Sequence, residues 1–509
     1  MRLLAEPKTL DQLENDEVLV AGTTGAIKRK HQIGTYFDTE DRRLKRRGVN
    51  LRVRRIGESH VQTVKAAARD AASPLTRMEW ETDIDGPEPD LVKLAATGAS
   101  EVTGVLLPGD LEPLFITDVK RTVRTIAYDT GGPNAALIEV AADRGLVKGA
   151  GSTADTDPTP ISELELELKA GPPAALFDLA LALNDRHAVR IGFAGKADRG
   201  YRLLSGQAPQ PRMAAKVALQ EGWTVDRCMQ VVFKACFDHW IANEAAAETG
   251  TDPEGVHQLR VALRRLRSAL SLLKPALSET DRQWLGGEVK WLAKSLGPAR
   301  DWDVFLGEMI PALKEGGFSG SLDPLVRAAR SKQKAAYRQV REVIGSPRYT
   351  RLLLEFWRWL DGQGWRSPDL PVQTQPIIEL ADVVMAKQHK RVMKRGRSFE
   401  DLSLPDRHEV RIAVKKLRYS VDFFVALYPA EKAKPYRRRL SNLQDALGAM
   451  NDVAVSEDLL AQLVDQRPAS RRSPGLAKAA GLVGGWYARG LIDEDAELVA
   501  NWKAFRRTT

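Results

Sequence analysis

The chain has 509 residues, 28% charged and 43% hydrophobic, which allows two to four domains and excludes wholesale disorder or a collagen-like fibre. Lys and Arg total 76 against 67 Asp and Glu, a net charge of +9 that carries information only where it gathers on one surface. Cys228 and Cys236 cannot build a disulfide framework and lack zinc-ligand spacing, and no run approaches about 18 uncharged apolar residues, so a cytoplasmic protein without a membrane span is expected.

Taken from the N-terminus, residues 1–204 contain short segments that alternate with period two, the signature of strands. Asn50-Leu51-Arg52-Val53-Arg54, Met78-Glu79-Trp80-Glu81-Thr82 and Glu163-Leu164-Glu165-Leu166-Glu167-Leu168-Lys169 are the clearest. Each strand carries one sign of charge on one face. Interior positions of a closed antiparallel barrel alternate in this way, and so do solvated outer faces joined by cross-strand pairs. Ser205-Gly206-Gln207-Ala208-Pro209-Gln210-Pro211 reads as a linker, placed at 205–214. Helical periodicity takes over in 215–505 and is cut by Ser367-Pro368-Asp369-Leu370-Pro371 through Pro376 into copies at 215–365 and 376–505.

The helical part repeats itself. His257-Gln258-Leu259-Arg260-Val261-Ala262-Leu263-Arg264-Arg265-Leu266-Arg267 aligns with His408-Glu409-Val410-Arg411-Ile412-Ala413-Val414-Lys415-Lys416-Leu417-Arg418 at an offset of 151 residues. Leu296-Gly297-Pro298-Ala299-Arg300-Asp301 and Leu447-Gly448-Ala449-Met450-Asn451-Asp452 align at the same offset. His257, Arg260, Arg264 and Arg267 share one helix face, opposite the apolar stripe of Leu259, Leu263 and Leu266. His408, Arg411, Lys415 and Arg418 repeat it. Lys387, Lys390, Arg391, Lys394, Arg395 and Arg397 precede the second basic motif without an acidic residue among them. Like charges at this spacing repel, and an anion relieves them. A solvated face has no reason to keep this register across two copies. Arg forks and Lys point charges together suit a phosphate polymer. The tryptophans are not interleaved with the Arg rows as base-stacking would require, so sequence-specific nucleic-acid binding is not expected. Each histidine either caps its helix or meets phosphate.

These residues resemble the CHAD domain (conserved histidine alpha-helical domain). The resemblance implies two pseudo-symmetric four-helix bundles with a basic channel that binds inorganic polyphosphate. It carries that role to His257, Arg260, Arg264, Arg265, Arg267, Lys390, Arg391, Lys394, His408, Arg411, Lys415, Lys416 and Arg418.

Residues 1–204 resemble a CYTH domain, the triphosphate tunnel metalloenzyme fold. The matching stretches are Tyr36-Phe37-Asp38-Thr39, Leu51-Arg52-Val53-Arg54, Lys65, Arg121, Ile138-Glu139 through Asp143-Arg144-Gly145, Glu163–Glu167 and Gly195-Lys196-Ala197-Asp198-Arg199-Gly200-Tyr201. The fold class implied is an α+β multidomain chain, an antiparallel β-barrel tunnel followed by an all-α domain. The resemblance implies phosphate binding by Arg52, Arg54, Lys65, Arg121 and Lys196, with Lys65, Arg121 and Lys196 catalytic. Glu139, Asp143, Glu163, Glu165 and Glu167 would hold Mg²⁺ or Mn²⁺, with Glu79 and Glu81 as further contributors. The family's first strand carries Glu-x-Glu-x-Lys. This sequence begins Met1-Arg2-Leu3-Leu4-Ala5-Glu6-Pro7, so that strand is expected to be absent and the chain to start late. The function implied is a metal-dependent triphosphatase tethered to polyphosphate, with localisation at polyphosphate granules. The alternatives are a polyphosphate-binding protein without turnover and an adenylate cyclase.

Overall fold

A computed structural model describes residues 1–67, 77–151, 156–464, 474–493 and 495–507, without the side chains at 67, 77, 319, 449–454 and 490–493. The chain divides into two compact units. The first comprises Met1–Ala208 with Gly345–Gly364, and the second Pro209–Ile344 with Trp365–Thr509.

The first unit is built on β1 (Arg2–Leu4), β2 (Thr23–Asp38), β3 (Val49–Ile56), β4 (Ser59–Ala67), β5 (Arg77–Ile84), β6 (Glu112–Tyr128), β7 (Ala136–Gly149), β8 (Thr159–Ala170) and β9 (Arg190–Ile191). They form one sheet in the order β5-β4-β3-β2-β6-β7-β8-β1-β9, with every ladder antiparallel. The result is the antiparallel, tunnel-like domain that the CYTH resemblance implies. Its first helices are α1 (Pro7–Glu14), α2 (Glu17–Ala21), α3 (Arg43–Arg46), α4 (Leu91–Ala96), α5 (Ser100–Thr103), α6 (Ala174–Asn184) and α7 (Lys196–Ser205).

The period-two pattern resolves into two faces. Leu51, Val53, Val64, Ala66 and Ile84 join Phe37, Leu44, Leu94 and Ala99 in one apolar cluster. Arg52 and Arg54 take the other face, the one that also carries Lys65, Glu79, Glu81, Arg121 and Asp143 by the ladder register. Burial of the apolar set therefore turns Arg52, Arg54, Lys65, Glu79 and Glu81 inward, and a one-residue slip would bury the charges in its place.

The missing first strand is a correction. Arg2, Leu3 and Leu4 pair with Glu165, Leu164 and Glu163 of β8, and Leu3 and Leu4 also pair with Ile191 and Arg190 of β9. Leu3 is fully buried, and the Met1 amine donates to the Leu166 carbonyl at 2.6 Å. A short strand thus occupies the place between β8 and β9 without bringing carboxylates to it.

The second unit is all-α: α8 (Val225–Thr249), α9 (Pro253–Leu272), α10 (Glu279–Ser295), α11 (Gly297–Val304), α12 (Ile310–Leu313) and α13 (Asp323–Ile344) come before α14 (Pro347–Asp361), and α15 (Ile377–Arg395), α16 (Leu404–Phe424), α17 (Ala430–Val464), α18 (Pro474–Asp493) and α19 (Asp495–Arg506) follow it. The 151-residue offset carries α9 onto α16 and α13 onto α18 almost residue for residue. It carries α10 and α11 together onto α17. The first copy restarts its helix at Leu296-Gly297-Pro298, with Pro298 in the first turn. Ala449 stands in place of that proline, and α17 runs on through the position.

The last helix of each copy behaves differently. In α19, Leu498, Trp502 and Phe505 complete the second copy's core with Phe399, Val410, Leu417 and Leu443. Helix α14 belongs to the first unit, where the repeat assigned it to the helical part. Trp357 packs edge-on to Phe177 of α6 at 5.6 Å, and the Thr350 hydroxyl donates to the Val189 carbonyl at 2.8 Å. Among the described residues, no helix is long and apolar enough to cross a membrane.

Candidate functional site

On the inner face of the sheet, charges from three strands and one helix meet. Arg121 of β6 donates through Nε and Nη2 to both oxygens of Asp143 on β7, at 2.7 and 2.6 Å, and also reaches Glu165 of β8. Lys196, the first residue of α7, donates to Asp143 at 2.6 Å, Glu163 at 2.5 Å and Glu165 at 2.9 Å. Arg199, one turn on, bonds the other oxygen of Glu163. Asp143 and Glu163 are fully buried. Burial alone would raise the Glu165 pKa, but Lys196 and Arg121 hold it well below the carboxylate range. Burial likewise depresses the Lys196 ammonium, and Glu165, Asp143 and Glu163 outweigh it, so its pKa lies above that of ordinary lysine.

Oxygens of Asp143, Glu163 and Glu165 lie within 4.8 Å of one another. This hard donor set suits Mg²⁺ or Mn²⁺. The Lys196 ammonium sits against all three, where a divalent ion would take its place.

Across the same face, Lys65 pairs with Glu79 at 2.7 Å and Arg54 with Glu81 at 3.2 Å, while Arg52 donates to the Thr63 hydroxyl at 3.3 Å. Burial lowers the Arg54 pKa, and its neighbour Arg52 adds to the effect. The Nε atoms of Arg52 and Arg54 are buried and find no acceptor among the described residues, an unsatisfied donor pair that an anion would complete. Gly34 lies between them and β6. A Cβ there would meet Thr117 Oγ1 at 2.8 Å and Arg52 Cδ at 3.1 Å, so glycine leaves Arg52 room to lie across the strand.

One buried node fixes this arrangement. Asp38 of β2 accepts from the amides of Thr39, Leu44 and Lys45 and from the Tyr201 hydroxyl of α7 at 2.8 Å. The same helix that carries Lys196 and Arg199 is thereby tied to the far end of β2.

In the second unit, α9 of the first copy packs on α16 of the second. Lys415 on α16 is depressed to about 8, first by burial and then by Arg411, Arg264, Arg260 and Arg267. The four guanidiniums come from both copies and are the leading charges acting on Lys415. Arg264 lies over the Tyr419 ring at 5.9 Å, Arg260 donates to the Ala293 carbonyl at 2.7 Å, and its charge is offset by Asp301. His257 is lowered by burial and by Arg300.

Two family models match the chain, the CYTH domain over residues 2–201 and the CHAD domain over 231–461. The chain is a CYTH–CHAD protein. It is similar to an inorganic triphosphatase of Haemophilus influenzae, 30% identical over 174 residues that span 34% of this chain and 46% of the relative. It is also similar to an uncharacterized protein of Mycobacterium tuberculosis, 25% identical over 209 residues, 38% of this chain and 39% of the relative. The chain thus spans less than half the length of the curated relatives it matches. The crystal structure of the CHAD domain from the plant Ricinus communis is 29% identical, with a TM-score of 0.51, and covers 58% of this chain and 96% of that one.

Within the CYTH domain, Arg121, Lys196, Asp143, Glu163 and Glu165 come together, while Arg52, Arg54 and Lys65 line the same face beside them. Glu139 and Glu167 do not join the carboxylate cluster. They occupy another rung of the β7–β8 ladder, where Lys169 bonds Glu167 at 2.6 Å and lies 3.9 Å from Glu139. Within the CHAD domain, Arg260, Arg264, Arg267, Arg411 and Lys415 share the seam. Arg265 is turned away, toward Ala215 and the Cys236 and His239 side of α8. Lys416 is lowered by burial and by Arg391 and Arg395, on the α15 side of α16. Arg418 is tied to Asp422 at 3.1 Å and to Ser441 at 2.8 Å. Lys390, Lys394 and His408 are exposed. The Asp452 side chain lies outside the described residues. The sequence reading quoted Arg199 without giving it a role and missed Tyr419, although each stands about one helical turn from a chosen lysine, Arg199 from Lys196 and Tyr419 from Lys415.

Proposed function

We propose that the CYTH domain hydrolyses a phosphoanhydride of the triphosphate type with Mg²⁺ or Mn²⁺, and that the CHAD domain holds inorganic polyphosphate, which would place the protein at cytoplasmic polyphosphate granules. One observation carries the reading. The inner face combines three clustered carboxylates with Arg52, Arg54, Lys65 and Arg121, the two chemistries that a polyanionic substrate and its metal require together. Asp143, Glu163 and Glu165 would hold the ion. A divalent ion so held supplies charge neutralisation at the phosphate oxygens. Arg52, Arg54 and Lys65 orient the phosphate chain through donors of fixed direction, and Lys196 and Arg121 exchange carboxylate for phosphate as the substrate enters. Triphosphatase activity in the Haemophilus influenzae relative supports the reaction class.

The test is phosphate release from tripolyphosphate by the full chain, with and without Mg²⁺ or Mn²⁺. Metal-dependent release abolished by Arg121→Gln is expected, and no release under any metal overturns the enzyme reading. A second reading, polyphosphate binding without turnover, is favoured by the Lys415 seam, whose cations act on one another across two helices. It expects binding of long polyphosphate that weakens steeply with salt.

A further inference from the structure

The inner face carries two cations that the functional reading leaves unused. In Lys28-Arg29-Lys30-His31 of β2, Lys30 stands directly opposite Arg121 and Lys28 opposite Val123. The register continues from Arg121 to Asp143 and on to Glu163, so Lys30, Arg121, Asp143 and Glu163 form one line across four strands on one face. The neighbours point the other way. His31 bonds Asp118 at 2.7 Å, and Asp118 also faces Lys148 at 4.0 Å. Lys30 has no ion pair among the described residues. Strand β3 pairs with β2 only from Gln32 onward, so Lys30 and Lys28 lie beyond the end of β3.

We propose that Lys30, with Lys28 behind it, extends the phosphate-binding track of the CYTH domain and gives it a preference for phosphate chains longer than triphosphate. The proposal rests on the inner-face phosphate reading above. Directly opposed residues of an antiparallel pair hold their Cβ atoms about 4.5–5.5 Å apart, which lets Lys30 and Arg121 share one phosphate group. A strand rises about 3.4 Å per residue, so Lys28 stands about 20 Å along β2 from Gly34, beside which Arg54 sits. Small side chains keep the intervening surface low: Val123 and Ala141 separate Lys28 from Glu165 in register. Cations on an exposed edge also deter strand pairing between chains, a role that Arg29 on the opposite face fills equally well. The two roles therefore separate by face.

The experiment is phosphate-release kinetics of the full chain on tripolyphosphate and on a longer linear polyphosphate, comparing Lys30→Gln, Lys28→Gln with Lys30→Gln, Lys30→Arg and the control Arg29→Gln. Lys30→Gln is expected to raise KM for tripolyphosphate about fivefold, the size of one charge contact in water, with kcat within about twofold and with recovery in Lys30→Arg. The double variant is expected to raise KM for the longer chain more than for tripolyphosphate. Kinetics of Lys30→Gln that match Arg29→Gln overturn the proposal while leaving the phosphatase reading intact. Equal losses on both chain lengths overturn the length preference. Absence of phosphate release by the unsubstituted chain overturns both.

Discussion

The two cationic arrays of this chain solve opposite electrostatic problems. In the CYTH domain Lys65, Arg54, Arg121 and Lys196 each meet a carboxylate, and the buried charges cancel locally. At the seam between α9 and α16, Lys415 meets Arg260, Arg264, Arg267 and Arg411. The first array is stable without a ligand and must be opened for one. The second is repulsive without a ligand and is relieved by one. A balanced array suits turnover, since each phosphate group that leaves can be replaced by an internal carboxylate. An unbalanced array suits retention.

The sharpest break of this contrast is Lys196→Met. It leaves Asp143, Glu163 and part of Glu165 buried around a missing ammonium, at a cost of about 3–5 kcal/mol. Denaturant unfolding of the full chain, followed by a probe in the first unit, measures it; a loss under about 1 kcal/mol would mean that the carboxylates do not depend on that ammonium. Tyr201→Phe probes the same domain through its anchor. Removing one donor from the buried Asp38 carboxylate is expected to cost about 1.5–3 kcal/mol and to weaken phosphate release by loosening α7. Unchanged stability would show that the three amide donors suffice.

The smallest effect on stability is expected at the seam, and its sign is the informative part. Lys415→Met removes a repelling charge, so the helical domain should gain up to about 1 kcal/mol without ligand and lose polyphosphate affinity. Lysine's ordinary value of 10.5 falls to about 8 in the folded state. Between those values the unfolded chain binds more protons, so this group makes stability rise as pH increases through that window. Polyphosphate affinity should fall over the same range as the ammonium is lost. Thermal melts and titrations at pH 7 and 9, with and without the substitution, test both slopes; a seam indifferent to Lys415→Met would make the two arrays alike.

Much of this contrast was legible in the sequence, for reasons that also explain the gaps. The seam was readable because i, i+3, i+7 spacing puts His257, Arg260 and Arg264 on one face and the duplication repeats it. Arg265 and Lys416 were misplaced because one residue turns a helix by about 100°, enough to send each to a different neighbour. The resemblance picked Glu139 and Glu167 on the correct face, but each lies four residues along its strand from the cluster, Glu139 from Asp143 on β7 and Glu167 from Glu163 on β8. Strand β1 was missed because three residues display no period. Lys28 and Lys30 were missed because their strand is exposed on both faces there and shows no apolar alternation. Helix α14 was expected as the last helix of a copy, and periodicity cannot name the surface on which a helix docks.

That docking has a consequence for how the molecule is made. The segment 345–364 leaves the ribosome only after Pro209–Ile344 of the helical unit, yet Trp357 and Tyr349 are buried within the first unit. The nascent β-domain must therefore wait, with the α6 surface around Phe177 uncovered, while some 136 residues of the other unit, Pro209–Ile344, are synthesised. A chain ended at the Gly206–Pro211 linker would lack α14 and leave that surface without its cover.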